Sequence, residues 1–403
     1  MKILMSAFAC SPIRGSEPGV GWNWAREMSK FNEVWVVTRS SNRSEIEMNS
    51  ENENIKFIYL SIPFISLMEK YTHSKIIHFY YYLWQRYIVK YLKKLNEKEK
   101  FQIIHHVTYN EFRNPGYLWK IGVPFILGPI GGAQEIENEL IDYCEGNWNK
   151  KLEKIRSFVN NRSKKSKYLA QSIANSSKII VANNDTARFL DLPDDKYEVM
   201  LETGVKKESC NYIVRKENNK IRILWVGNLI YIKGFKLLID AFSRIANKDK
   251  YEVIVIGEGK LKSKYIELLE KNGMSNYFSF KGKLSYADTL NEYRYSDIFL
   301  FTSLRDTSGN VVLEAMSNCL PVISLNHHGA ADMLDENCAI KININNKEQV
   351  VDDLVKSIEL LGNDYNKRIE MGISSFNRIQ EKYIWENKGV LMQQIYNKYA
   401  NKA

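Results

Sequence analysis

The fold is decided by three consecutive pieces of the chain: Lys2-Ile3-Leu4-Met5-Ser6-Ala7-Phe8, then Arg14-Gly15-Ser16-Glu17-Pro18-Gly19-Val20-Gly21, then Glu33-Val34-Trp35-Val36-Val37-Thr38. A short apolar run opens the series, and a loop carrying Pro12, Gly15, Pro18, Gly19 and Gly21 follows it. The spacing predicts a helix from near Trp22 and a β-branched strand after it. Strand, glycine-rich loop, helix and strand form the opening unit of a doubly wound parallel sheet. Glycines in such a loop let backbone N–H groups approach a phosphate, and a helix N-terminus adds a favourable dipole. The loop lacks both the dinucleotide G-x-G-x-x-G pattern and the Gly-Lys-Ser/Thr of a P-loop. A purely structural turn explains it equally well.

Working outward, further apolar runs alternate with helical stretches: Lys56–Leu60, Gln102–Thr108, Pro124–Leu127, Lys178–Ala182 and Tyr197–Leu201. The composition then changes. Lys206–Lys220 holds five Lys or Arg and three Asn, with little apolar periodicity, and reads as a linker. Alternation restarts with a strand at Ile221–Val226, a helix at Phe235–Ile245 and a strand at Tyr251–Ile256. It continues through Tyr277–Phe280, Ile298–Phe301, Pro321–Leu325 and Ala339–Ile344, and ends in helix, Tyr383–Tyr399. The expected architecture is α/β: a Rossmann-like domain over 1–205, a linker over 206–220 and a second Rossmann-like domain over 221–383. Ligands of such sheets bind at the carboxyl ends of the strands, so two facing sheets are expected to make one cleft.

Composition bounds the rest. The chain has 403 residues, 44% hydrophobic and 26% charged, enough apolar material for two cores. Its five cysteines, Cys10, Cys144, Cys210, Cys319 and Cys338, form no C-x-x-C pair and no ligand-like spacing with the six histidines, which points to reduced thiols in a cytoplasmic protein. The apolar run after Lys2 is too short for an export signal, and no run of eighteen apolar residues could span a bilayer. A net charge of +10 suits a phosphate-bearing ligand, an anionic lipid surface or nucleic acid. Lys150–Lys167 holds eight basic residues against Glu153, and the basic stretch Arg86–Lys100 follows Phe79, Tyr80, Tyr81, Tyr82 and Trp84. Rings beside cations fit a membrane interface, and equally a solvated helix with its aromatics in the core.

The second half carries the chemistry. Gly227-Asn228-Leu229 ends a strand and Lys233-Gly234 opens the next helix, which places a lysine where it could neutralise a diphosphate. The longest motif is Ser303-Leu304-Arg305-Asp306-Thr307-Ser308-Gly309-Asn310-Val311-Val312-Leu313-Glu314-Ala315-Met316. Backbone N–H groups of Ser308, Gly309 and Asn310 at a helix start would face an anion. Glu314, set among apolar neighbours, needs a defined partner, and a ribose diol would supply two O–H donors.

With these residues in view, the chain resembles the retaining GT-B glycosyltransferases of the group 1 family. The match lies in the Asp306…Glu314 spacing with Ala315-Met316 and Leu320-Pro321-Val322-Ile323 after it. It extends to Gly227-Asn228-Leu229, Lys233-Gly234, Gly257-Glu258-Gly259 and Phe280-Lys281-Gly282. The Ser16–Trp22 loop matches too, and His105-His106-Val107-Thr108 and Gly128-Pro129-Ile130-Gly131-Gly132 are similar to one subgroup. The resemblance implies that Glu314 holds the ribose hydroxyls, Asp306 touches the donor sugar, and Lys233 with Gly15 and Ser16 holds the diphosphate. Gly227, Asn228, Gly257, Gly282, Ser308, Gly309 and Asn310 complete the implied donor site, and 384–403 is implied to pack back on the first domain. Asp306 stands where the family has Glu, and Asn228 where it has Arg. Pro129-Ile130-Gly131 occupies the place of a family His, leaving His105 and His106 as acceptor-side candidates. No D-x-D pair is present, so cationic side chains are expected to do the work of a metal, with no cofactor beyond the nucleotide diphosphate-sugar substrate. The implied activity is hexosyl transfer with retention to a glycan or lipid-linked acceptor. The position of the basic stretches Lys150–Lys167 and Phe79–Lys100 in the half that does not bind nucleotide places that acceptor at the inner face of the cytoplasmic membrane, and no nucleic-acid partner is expected. A nucleotide-sugar epimerase and a non-catalytic sugar-nucleotide-binding protein share the fold.

Overall fold

The computed structural model describes residues 1–49, 54–70, 75–109 and 111–400. Its strands are β1 (Lys2–Ser6), β2 (Glu33–Thr38), β3 (Ile55–Tyr59), β4 (Ile103–His106), β5 (Phe125–Ile130), β6 (Lys178–Val181) and β7 (Tyr197–Val199), then β8 (Ile221–Val226), β9 (Tyr251–Ile256), β10 (Phe278–Gly282), β11 (Ile298–Phe301), β12 (Val322–Leu325) and β13 (Ala339–Ile342). The helices are α1 (Ser16–Ser29), α2 (Arg43–Asn49), α3 (Lys75–Glu99), α4 (Asn147–Lys164), α5 (Lys167–Asn175), α6 (Asn184–Phe189) and α7 (Phe235–Arg244), then α8 (Lys262–Lys271), α9 (Tyr286–Tyr295), α10 (Asn310–Ser317), α11 (His328–Met333), α12 (Lys347–Asn363), α13 (Tyr365–Arg378) and α14 (Trp385–Ala400). The chain divides into two compact units. One comprises Met1–Ala133, Val159–Thr203 and Trp385–Ala403, the other Gln134–Phe158 and Gly204–Ile384.

The first unit is built on a parallel sheet of order β3-β2-β1-β4-β5-β6-β7. Successive side chains of β1 feed opposite faces: Leu4 joins Tyr80, Tyr81 and Trp84 of α3, whereas Ile3 and Met5 join Trp24 of α1 and Trp385 of α14. Helix α14 therefore closes one face of this sheet, with the Trp24 and Trp385 rings edge to face at 5.3 Å.

Helix α1 starts at Ser16, six residues before the expected Trp22. Pro18 fits the first turn of a helix, where its missing N–H is no loss. Gly21 is there for packing, since a Cβ at this position would lie 2.2 Å from the Ala9 carbonyl oxygen.

The second unit repeats the plan as β10-β9-β8-β11-β12-β13, parallel throughout. In each sheet the strand order reverses beside its first strand, at β1/β4 and at β8/β11, where ligands of doubly wound sheets bind. Two expected boundaries are corrected. Residues 134–158, assigned by sequence to the first domain, pack in the second: Ile136, Leu140, Tyr143 and Cys144 share its core, and the Tyr143 hydroxyl donates to Asp240 at 3.1 Å. Within the expected linker, Arg215 is buried and its guanidinium donates to the carbonyls of Tyr293, Ser296, Asn318 and Cys319, which ties the segment to the second sheet. No helix among the described residues is long and apolar enough to cross a membrane.

Candidate active site

The loops after β8 and β11 meet at the switch point of the second sheet. After Gly227-Asn228-Leu229 the chain makes a 3-10 turn, Tyr231–Lys233, and passes through Gly234 into α7. Gly234 is left-handed (φ 65°), and a Cβ there would lie 2.0 Å from the Thr302 carbonyl oxygen, so only glycine lets the two loops touch. They are laced together: Leu304 N–H donates to Ile232 O at 2.8 Å, and the Ser303 hydroxyl to the same oxygen at 3.3 Å. Across this seam the Lys233 ammonium is ion-paired with the Asp306 carboxylate. The other Asp306 oxygen accepts from Gly309 N–H at 3.2 Å and shapes the entry to α10.

Gly309 is the left-handed N-cap of α10, whose first turn presents backbone N–H groups beyond it. Glu314 lies one turn into α10. Its Oε2 accepts the Tyr293 hydroxyl at 2.9 Å, and among the described residues Oε1 takes no hydrogen bond. Burial raises the Glu314 carboxyl to about 7, against the lowering effect of the Tyr293 hydroxyl. Gly227, Gly257 and Gly282 tie the strand ends together: Gly257 N–H donates to Gly282 O at 2.8 Å, and Gly227 N–H to Ile256 O at 3.0 Å.

A third strand end, missed in the sequence, completes the region. After β12, His327 shares a ring-nitrogen hydrogen bond with Ser303 O at 3.0 Å, and its ring stacks on His328 at 4.0 Å. Gly329 presses on the 306–309 loop, where a Cβ would meet Thr307 O at 2.0 Å. The available signal was the run His327-His328-Gly329, one residue beyond the apolar stretch Pro321–Leu325. Behind these loops, Glu153 of α4 accepts the Tyr231 hydroxyl at 2.7 Å and pairs with Arg305 at 3.2 Å. No group of three or more metal-ligating side chains is gathered among the described residues.

In the first unit the acceptor-side histidines are corrected. His105 and His106 are fully buried on β4. The two ring nitrogens of His105 engage the Tyr396 hydroxyl at 2.6 Å and Gly128 O at 2.7 Å, and His106 meets the Tyr81 hydroxyl at 2.8 Å. Burial lowers His105 to about 4 and His106 to about 3, so both are neutral core residues that no acceptor reaches. Gly15 and Ser16 lie exposed at the start of α1 and make no side-chain cap. The titratable group at this switch point is Glu17, half-buried, whose carboxylate accepts from Tyr109 N–H at 2.5 Å. Burial pushes it up to about 7, opposed by that N–H and reinforced by the charges of Glu202 and Glu111. Such a shift in the first turn of the helix at the switch point marks a candidate functional group. Of the aromatic stretch on α3, Tyr80, Tyr81 and Trp84 are core, while Phe79, Tyr87 and Tyr91 are exposed.

Residues 211–378 match the profile of the family described as Glycosyl transferases group 1. The chain is 29% identical over 192 residues to a sulfoquinovosyl transferase of Arabidopsis thaliana, covering 45% of this chain and 36% of that one. It is 24% identical over 256 residues to a capsular polysaccharide biosynthesis glycosyltransferase of Staphylococcus aureus, covering 60% and 61%. The chain spans less than half the length of the first curated relatives it matches. Among solved structures, sucrose-phosphate synthase from Thermosynechococcus elongatus is similar over 100% of both chains, with a TM-score of 0.66 and 14% identity. An Anabaena protein solved in complex with UDP-glucose is similar over 100% of both chains, with a TM-score of 0.59 and 13% identity. At such identities the likeness shows the fold, the two-sheet GT-B architecture of glycosyltransferases.

Proposed function

Because residues 211–378 match the glycosyl transferases group 1 family, we propose that the chain moves a hexose-type sugar from a nucleotide diphosphate-sugar to an acceptor hydroxyl with retention. The reading rests above all on the Lys233–Asp306 pair at the β8/β11 switch point, with Glu314 one turn into the helix that follows. Breaking the anomeric bond puts positive charge on the sugar and negative charge on the departing diphosphate. In this mechanism Lys233 leaves Asp306 for the phosphate, which it stabilises together with the first-turn N–H groups of α10. Asp306, so released, accepts from the donor sugar's hydroxyls. Glu314 accepts the ribose diol at Oε1 while Tyr293 keeps Oε2 oriented.

Because cationic groups stabilise the leaving diphosphate, the reaction needs neither metal nor cofactor. The UDP-glucose complex of the Anabaena neighbour supports a sugar nucleotide as donor, and the capsular relative supports work in cell-surface polysaccharide or lipid-linked glycan assembly. The acceptor is assigned to the first unit, with Glu17 the candidate contact for its hydroxyl, and it is lipid-linked at the inner face of the cytoplasmic membrane. Thermal unfolding against a panel of nucleotide-sugars tests the donor: a ligand at a hundred times its Kd stabilises by about 2.7 kcal/mol. A flat response across the panel would remove the donor assignment.

A further inference from the structure

Helix α4 is amphipathic in the inverted sense. Its inward face is polar: Glu153 and Asn160 are buried, Glu153 binds Tyr231 and Arg305, and Asn149 donates to Cys144 O at 2.8 Å and Glu145 O at 2.9 Å. Its outward face is apolar, with Trp148 66%, Leu152 40%, Ile155 47%, Phe158 69% and Val159 39% exposed. At 3.6 residues per turn, Trp148, Leu152, Ile155 and Val159 fall within an arc of about 60°. A contiguous apolar stripe left in water marks an interaction surface.

We infer that the outward face of α4 docks on an anionic lipid surface, lying in the plane of the headgroups. Charge selects this occupant. Lys151 and Lys154 are exposed beside the stripe, and the only acid of the helix, Glu153, points inward. The Lys151 ammonium lies 5.9 Å from the Trp148 ring centre, so an amphipathic ring and a cation share one end of the helix. An in-plane helix on anionic lipid satisfies the apolar stripe and the flanking cations together. The inward face then matters: Glu153 grips the turn ending in Lys233 and the loop ending in Asp306, so a docked α4 holds the donor loops beside the bilayer. This deepens the lipid-linked-acceptor reading and depends on it for its purpose, whereas the docking itself needs neither donor nor acceptor.

The test is co-sedimentation of the full chain with vesicles of equal parts phosphatidylcholine and phosphatidylglycerol, with pure phosphatidylcholine as control. Wild type should bind the mixed vesicles and lose binding as salt is raised. Changing both Lys151→Gln and Lys154→Gln should weaken binding about 25-fold, about fivefold for each lysine near the surface. The exposed-face variant Trp148→Ser, Ile155→Ser, Phe158→Ser should weaken it more than tenfold with its unfolding temperature unchanged. Absence of wild-type binding at low salt, or equal binding by the apolar variant, would overturn the docking surface. So would a wild-type dimer that this variant dissolves, since the stripe would then be a protein interface. Nucleotide-sugar stabilisation is measured on the same proteins without vesicles, so failure of the donor reading registers separately.

Discussion

Replacing Lys233 with Ala separates a phosphate-binding lysine from one that only staples two loops. Its ammonium pairs with Asp306, and the two side chains are 28% and 19% exposed. An ion pair this accessible to water contributes about 0.5–1 kcal/mol. At about 2–4 °C per kcal/mol for a unit of this size, the variant should unfold only about 1–4 °C below wild type. Binding should suffer far more. A charge-assisted contact to phosphate is worth roughly 1.5–3 kcal/mol, which at about 1.4 kcal/mol per decade is a loss of roughly 10- to 150-fold in affinity. The unpaired Asp306 carboxylate would also face the incoming diphosphate and deepen the loss. Titration calorimetry with the nucleoside diphosphate that best stabilises wild type reads this directly. Adding Asp306→Asn to Lys233→Ala removes the stranded charge, so it should restore thermal stability and recover only part of the affinity. Affinity of Lys233→Ala within twofold of wild type, or full recovery in the double variant, would reduce Lys233 to a loop staple.

Glu314→Gln should cut transfer by roughly 10- to 100-fold with the fold intact, because an amide presents N–H donors to the ribose hydroxyls. The wild-type carboxyl, raised to about 7, must be ionised to accept two hydroxyls. Nucleotide-sugar binding should therefore release a proton and weaken by about tenfold per unit as pH falls below 7, a dependence absent from Glu314→Gln. Transfer should persist in EDTA, and dependence on added manganese or magnesium would transfer the leaving-group role to a metal. His105→Ala should cost roughly 2–4 kcal/mol of stability, through a cavity and the stranded Tyr396 hydroxyl and Gly128 carbonyl. Acceptor KM should not change in that variant.

Strand runs such as Glu33–Thr38, Ile221–Val226 and Ile298–Phe301 were legible because strands buried on both faces are continuously apolar. The start of α1 was not, because Pro18, Gly19 and Gly21 read as loop residues until the approach of Ala9 O to Gly21 explains them. His105 and His106 look functional in sequence, yet β4 turns His105 beneath α14 and His106 beneath α3, which makes both core, and α14 is nearly three hundred residues away along the chain. Helical periodicity identifies the apolar face of α4 without telling which face turns inward. That was settled by Tyr231 and Arg305, two residues distant in sequence that give Glu153 its partners. The excursion of 134–158 into the second unit likewise depends on remote partners, Asp240 and Tyr265, which no local pattern announces.

The most direct measurement follows the sugar itself. Wild type and Lys233→Ala are incubated, in chelator, with the stabilising nucleotide-sugar and a lipid extract, and both products are quantified by mass spectrometry and NMR. Sugar transfer predicts one nucleoside diphosphate released per glycosylated lipid, the anomeric configuration of the donor retained in the product, and both products sharply reduced in the variant. An epimerised sugar released without any glycosylated acceptor, or an inverted linkage, would contradict retaining transfer.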